Sequence, residues 1–215
     1  MIDVPKHTSE VFNEDCMIGM AGYPDKWFDL AVVDPPYGIN INMNMGRRKG
    51  QAKKHHEKNW DNSTPDEIYF KELFRVSKFQ IIWGGNYFDL PLTSSWIFWN
   101  KCVPSDLSFA DGELAWTSGN KTLKMATIPY SGFTGKDTDC RIHPTQKPVA
   151  LYDWIYKNYL PNGGKVIDTH LGSGSNRIAA NKAGNIDFTG FELDKDYYEA
   201  QEKRWKAFIS QTRLF

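Results

Sequence analysis

The chain is 215 residues long, 40% hydrophobic and 24% charged, with 26 basic and 26 acidic residues and a formal net charge of +0. That length suits one domain with a core of its own and argues against a disordered chain. No global charge directs it to a polyanion, so any nucleic-acid contact has to come from local clustering.

Cys16, Cys102 and Cys140 are odd in number and widely spaced, which excludes a disulfide framework and lacks the paired spacing of a zinc site. The opening MIDVPKHTSE has no apolar signal core, and no run approaches about 18 apolar residues. The expected location is therefore the cytoplasm, with no membrane contact. The eight tryptophans are expected mostly in the core or in strands.

FDLAVVD (28–34) is short, apolar and valine-rich, the pattern of a buried strand. Asp34-Pro35-Pro36-Tyr37 then ends it, because proline removes a ladder donor and an acid does not belong in an apolar run. Residues 41–62 have no clean period, and within 47–58 they carry Arg47, Arg48, Lys49, Lys53, Lys54 and Lys58 against one acid, Glu57. They read as a mobile basic loop, either merely solvated or neutralising phosphates. STPDEIYFKELFRVS (63–77) predicts a helix capped by Ser63 or Thr64, with Pro65 in its first turn and Asp66 and Glu67 at the positive end of its dipole.

QIIWGGN (80–86), SWIFWNK (95–101) and ELAWTS (113–118) read as strands, whereas 119–142 is polar and irregular. PVALYDWIYKNYL (148–160) places Leu151, Trp154, Ile155 and Tyr159 at helical spacing behind a leading proline. KVIDTHLGSGSNRIAANKAG (165–184) reads strand, glycine turn and helix, stopped by Gly184. DFTGFELD (187–194) is a strand, and Asp194 caps a closing helix that buries Tyr197, Trp205 and Phe208. Strands alternating with helices predict an α/β fold with a largely parallel sheet.

In the glycine turn, Gly172 and Gly174 allow a ligand to approach the backbone at the edge of the sheet where open α/β folds bind. Glu192 ends the next strand, the place for a carboxylate that accepts from ribose hydroxyls. A plain tight turn beside an exposed acid is the competing reading. A dinucleotide site wants a third glycine over a pyrophosphate, and Arg177 stands in that register. Asp168 beside the turn suits an amino-acid ammonium better than a phosphate, so S-adenosylmethionine is favoured over NAD.

The tetrapeptide suits a particular chemistry. An exocyclic amine on adenine or cytosine is a poor nucleophile because its lone pair is conjugated into the ring. A carboxylate (Asp34) and a rigidly held carbonyl (Pro35) accepting its two N–H bonds would free that lone pair, and Asp34 would stabilise the cation that forms. Tyr37 could stack on a base drawn out of the duplex. Alone, the tetrapeptide is also a plausible strand-ending turn.

With both motifs in hand, the sequence resembles an amino-group DNA methyltransferase of the Asp-Pro-Pro-Tyr type, N6-adenine or N4-cytosine, over nearly the whole chain. Asp34-Pro35-Pro36-Tyr37 precedes the cofactor turn, as in the permuted β group, and small methylases of this look occur in phages, prophages and restriction–modification systems. The resemblance implies one S-adenosylmethionine-dependent methyltransferase (Rossmann-like) domain over 1–215, with a mostly parallel seven-stranded sheet, one antiparallel strand and flanking helices. It makes Asp34, Pro35, Pro36 and Tyr37 catalytic, and Asp15 and Cys16, in Asn13-Glu14-Asp15-Cys16, contacts for the cofactor's adenine. Thr145, Gln146 and Lys147, in the stretch His143–Pro148, are implied at the methionine end, with Lys147 on the carboxylate. Asp168, His170, Gly172, Ser173, Gly174, Ser175, Glu192 and Leu193 complete the cofactor set, Asp34 adjoins it, and Trp83-Gly84-Gly85-Asn86 lines the target pocket. Asn86, Arg47, Arg48, Lys49, Lys53 and Lys54 are the DNA contacts.

Two departures from the pattern stand out. Asp168-Thr169-His170 replaces the usual Asp-Pro-Phe, and the short irregular segment 119–142 leaves little room for a recognition domain, so specificity is modest or relies on a homodimer partner. The expected substrate is double-stranded DNA, with adenine N6 ahead of cytosine N4 because cytosine enzymes of the family more often carry Ser in place of Asp34. No metal is expected, since methyl transfer from a sulfonium needs none. Rival readings are an RNA or protein-amide methyltransferase, an NAD-dependent oxidoreductase, and a non-catalytic nucleic-acid-binding subunit.

Overall fold

The computed structural model of the chain describes residues 7–39, 61, 63–104, 110–130, 142–143 and 145–212. In chain order the elements are β1 (Ser9–Phe12), α1 (Cys16–Ala21), β2 (Phe28–Val33), α2 (Glu67–Val76), β3 (Ser77–Trp83), a 3₁₀ turn (Gly85–Tyr87), β4 (Trp96–Asn100), β5 (Gly112–Thr117) and β6 (Lys124–Thr127). There follow α3 (Val149–Tyr159), β7 (Gly164–Asp168), α4 (Ser175–Ala183), β8 (Ile186–Phe191) and α5 (Lys195–Thr212).

The strands form one sheet in the order β1-β8-β7-β2-β3-β5-β4-β6. β5 runs antiparallel to both of its neighbours, and every other pairing is parallel. The sheet thus has eight strands rather than the expected seven, with the single antiparallel strand in place. Two short strands escaped the sequence pattern. β1 is four residues long, and in β6 only Ala126 is buried while Lys124 and Met125 face outward, so no apolar alternation marks it. β6 falls within 119–142 and is held by its parallel pairing to β4.

Alternation along the strands feeds two cores. Leu30 and Val32 of β2 point to the face covered by Leu151 and Ile155 of α3 and Ala179 and Ala180 of α4. Ala31 and Val33 point to the opposite face, under Met20 of α1 and Tyr69, Phe70, Leu73 and Val76 of α2. Being covered on both sides is why β2 reads as a continuous apolar run. Replacing fully buried Leu73 by Ala should cost about 2–5 kcal/mol, read from urea unfolding, because α2 has no other way to fill that space.

Helix ends differ in detail from the sequence reading. Asp66, not Ser63 or Thr64, caps α2, its carboxylate accepting from the Tyr69 amide at 2.9 Å, which leaves Pro65 outside the helix. A carboxylate is the stronger acceptor for amides at a positive helix end. Asp194 caps α5 as expected, through the amides of Asp196 and Tyr197. Of the three aromatic residues expected to be buried by α5, only Tyr197 is; Trp205 and Phe208 are half-buried. Among the described residues, no helix is long and apolar enough to cross a membrane.

The chain runs outward from β2 to β3 on one side, while β7, β8 and β1 lie on the other. The order therefore reverses between β2 and β7, where the two loops leaving the strand ends diverge and leave a crevice. The Asp34 tetrapeptide leaves β2 there, and the glycine turn leaves β7 beside it.

Candidate active site

A cavity of about 680 Å³ opens at this crevice. Its wall includes Asp34, Pro35, Pro36 and Tyr37 after β2, Asn86 after β3, and Asp15 and Cys16 at the start of α1. The glycine-turn residues His170, Gly172 and Ser173, then Glu192 and Leu193 after β8, and Thr145, Gln146 and Lys147 before α3 line the same space. Residues from six separate stretches of sequence thus meet around one void.

Three expected members are not on that wall. Asp168 is 2% exposed and turned inward, accepting from the His170 amide at 3.1 Å and from Asn176 Nδ2 at 2.9 Å. Burial pushes its carboxyl up to about 7, against those two hydrogen bonds. It braces the turn from behind rather than facing a ligand's ammonium. Gly174 and Ser175 also sit behind the turn. Gly174 precedes α4 at φ +71°, and Ser175 bonds Ser173 and Arg204.

Gly172, at φ +53°, does face the cavity, in a backbone conformation that favours glycine. Its amide donates to Glu192 Oε2 at 2.8 Å, and Glu192 Oε1 accepts from the Asp194 amide at 2.9 Å. One carboxylate therefore ties the β7 turn to the end of β8. Arg177, in the register of a third glycine, points away from the turn and bonds Ser9, Gln201 and Glu202.

At the other end, Asp15 caps α1 by accepting from the Met17 amide at 2.8 Å. The Cys16 thiol is pushed up to about 12 by burial and by neighbouring Asp15, which keeps it protonated and unreactive. Burial drives His170 down to about 4, so it presents a neutral ring, edge-on to Tyr69 and bonded at Nδ1 to Thr169 Oγ1. The neutral planar ring packs on Tyr69 at the position where the usual pattern has phenylalanine.

The tetrapeptide is held by groups that sequence alone did not reveal. Asp61, 4% exposed, accepts from the amides of Tyr37 and Gly38 at 2.8 and 3.0 Å, fixing the turn. Tyr37 Oη donates to Asp34 Oδ1 at 2.6 Å, and its ring stacks on Tyr87 at 5.0 Å and 11°. Burial and the Asp34 charge push the Tyr37 hydroxyl well above its ordinary range, so it remains a donor. Lys147 Nζ reaches Asp34 Oδ2 at 2.5 Å, so it faces the tetrapeptide where the resemblance had placed it on a cofactor carboxylate. A buried lysine goes where the buried acids are.

Gly84 stands against the Tyr37 ring, at φ +67°, and a Cβ there would lie 2.2 Å from the ring edge. Gly84→Ala should therefore displace Tyr37 from Asp34 and lower methyl transfer by about tenfold or more, as expected when a supporting contact shifts a reacting group by about 1 Å. A tritium-transfer assay checks this.

Arg47, Arg48, Lys49, Lys53 and Lys54, expected on phosphates, lie outside the described residues, as do 131–141 of the expected recognition segment. Among the described residues, no group of three or more His, Cys, Asp or Glu side chains is arranged to hold a metal ion.

YubD of Escherichia coli (strain K12), a candidate methylase, is 25% identical over 213 residues, covering 93% of this chain and 91% of that one. The type II methyltransferase M.HinfI of Haemophilus influenzae is also 25% identical, over 90% of this chain and 67% of its own. The fold is shared with M1.HpyAVI in complex with S-adenosylmethionine, at TM-score 0.58, 17% identity and coverage of 92% and 100%. It is shared equally with the cytosine-N4-specific PvuII DNA methyltransferase, at TM-score 0.58, 14% identity and coverage of 91% and 86%. Residues 53–203, more than half of the chain, match the family model described as DNA methylase. That match begins after Tyr37, so the tetrapeptide's place in the site rests on its own geometry. With Asp34 and the glycine turn on one cavity, the chain belongs to the N6/N4 DNA methylase family.

Proposed function

We propose that this DNA amino-methyltransferase uses S-adenosylmethionine to methylate adenine N6 in double-stranded DNA. The observation that carries the reading is that Asp34, the Gly172 turn and Glu192 all open on one cavity. The residues fit the cofactor. Gly172 offers a wall with no side chain, Glu192 offers acceptors for ribose hydroxyls, and Arg177 is engaged elsewhere rather than set to meet a pyrophosphate. Asp15, Cys16, His170, Ser173, Leu193, Thr145 and Gln146 line the same cavity. Bound S-adenosylmethionine supplies an electrophilic methyl group on a sulfonium.

The chain's own residues then do the rest. Asp34 and the Pro35 carbonyl accept the two N–H bonds of the target amine, drawing its nitrogen out of conjugation. Tyr37 and Lys147 each take one Asp34 oxygen, and a carboxylate oxygen has a second lone pair left for the amine. As the nitrogen–methyl bond forms and the sulfur–methyl bond breaks, the Asp34 charge faces the developing cation. The amine proton passes through the Asp34 carboxylate to solvent. Tyr87, stacked on Tyr37 and 47% exposed, extends the aromatic surface available to an extruded base.

Adenine is favoured over cytosine because a carboxylate opens the tetrapeptide. Expression in a methylation-free host followed by modification-aware sequencing tests this: N6-methyladenine at a recurrent site is the expected result. N4-methylcytosine would move the assignment to the other amine.

A further inference from the structure

We propose that Lys147 and Glu113 form a charge-compensated clamp that positions Asp34, which makes both of them positioning residues for methyl transfer. The inference rests on the function proposed above.

Lys147 has only 3% of its side chain exposed. Its Nζ lies 2.5 Å from Asp34 Oδ2, 3.1 Å from Glu113 Oε2 and 3.3 Å from Tyr37 Oη. Two of the three ammonium donors are spent on hydrogen bonds to Asp34 and Tyr37, and Glu113 Oε2 adds an ion-pair contact, so the charge is turned toward these buried acids. Glu113 on β5 continues the chain, its Oε1 meeting Lys101 Nζ at 2.6 Å. Asp34, Lys147, Glu113 and Lys101 thus alternate in sign and sum to zero charge across four separate segments of the fold.

The alternation has a consequence for the reaction. Lys147 alone would hold Asp34 in place yet oppose the cation forming on the amine. Glu113 cancels that opposition and leaves the Asp34 charge to act on the amine. Burial pushes the Lys147 ammonium down, and Asp34 with Glu113 more than reverses this, so it is raised. Burial pushes Glu113 up, and Lys147 with Lys101 more than reverses that, so it is lowered. Among the described residues, Tyr37, Tyr69, Tyr152 and Asp168 also feel the Asp34 charge, and none of these four is a cation that could replace Lys147.

The test compares wild type, Lys147→Met, Glu113→Gln and the double variant for kcat, DNA KM, cofactor affinity by calorimetry and the pH–rate profile. In Lys147→Met, Asp34 faces Glu113 without the cation between them, and Lys101 remains only on the far oxygen of Glu113, so the pair takes up a proton more readily. The acid limb should move up by about one pH unit or more, as like-charged carboxylates do, with part of the rate regained at high pH. At neutral pH, kcat should fall about 10²-fold, as when one preorganised group at a reacting centre is lost, with KM little changed. Cofactor affinity should hold within about twofold, since no cofactor contact is removed. Glu113→Gln should lower kcat without raising that limb. Removing both charges together should return the limb toward wild type and recover about tenfold of the rate lost in Lys147→Met, the non-additivity expected of a coupled pair.

A Lys147→Met protein with an unmoved limb and about tenfold weaker cofactor binding would make Lys147 a cofactor ligand and overturn the clamp. A double variant no better than the sum of the singles would overturn the role of Glu113. Should Lys147→Met fail to fold, Glu113→Gln and Glu113→Asp carry the test. Rate lost in the first and restored in the second supports the clamp, and wild-type rates in both overturn it. Wild-type protein that transfers no methyl group to DNA defeats the underlying function instead, whereas an active wild type with unmoved variants defeats the clamp alone.

Discussion

Asp34→Ala is expected to abolish methyl transfer, lowering kcat by about 10³-fold or more, because it removes the acceptor and the charge aimed at the developing cation. The fold should survive the change. Lys147 would keep Glu113 at 3.1 Å, so no buried ammonium is stranded, and the side chain lost is itself only partly buried. Tyr37 would lose the acceptor it holds at 2.6 Å, loosening the aromatic pair with Tyr87. Asp34→Asn should be nearly as inactive, since its amide presents a donor where the amine also donates. Single-turnover transfer of a labelled methyl group measures both variants, with calorimetry showing cofactor affinity largely retained. Wild-type rates in Asp34→Ala would end the mechanism.

Glu192→Ala should act on binding rather than on chemistry. Glu192 orders two amides, at Gly172 and Asp194, while facing the cavity where a ribose would sit. Losing a charged acceptor and two bonds that shape the wall should weaken cofactor affinity about 10- to 100-fold, the range for hydrogen bonds to a charged group. At saturating cofactor, kcat should stay within a few-fold of wild type, because the contact is made equally before and during transfer. Calorimetry decides the point, and unchanged affinity would remove Glu192 from the site.

The parts legible in the sequence were those whose signals are local. β2, β3, β7 and β8 are buried runs ended by acids, glycines or prolines, whereas the reversal of strand order between β2 and β7 is seen only in the fold. Asp34, Gly172 and Glu192 share one cavity because each lies in the loop that follows a strand at the same edge. What stayed hidden depends on contacts between distant residues. Asp61 lies 24 positions from Tyr37, whose amide it accepts, and no local pattern announces it. Glu113 and Lys101 look like ordinary strand-edge charges until folding brings them beside Lys147. Lys147 itself was assigned by its place before α3, and its 2.5 Å contact with Asp34 spans 113 positions. Asp168 was expected to face a ligand, but its rotamer serves the turn behind it.

The central claim is that this cavity transfers a methyl group to an exocyclic amine of DNA. The most direct measurement incubates the purified protein with methyl-labelled S-adenosylmethionine and double-stranded DNA, digests the product to nucleosides, and identifies the labelled one. Label in N6-methyladenosine as its deoxynucleoside is the predicted result. Label in no nucleoside, or only at a ring carbon, would contradict the account.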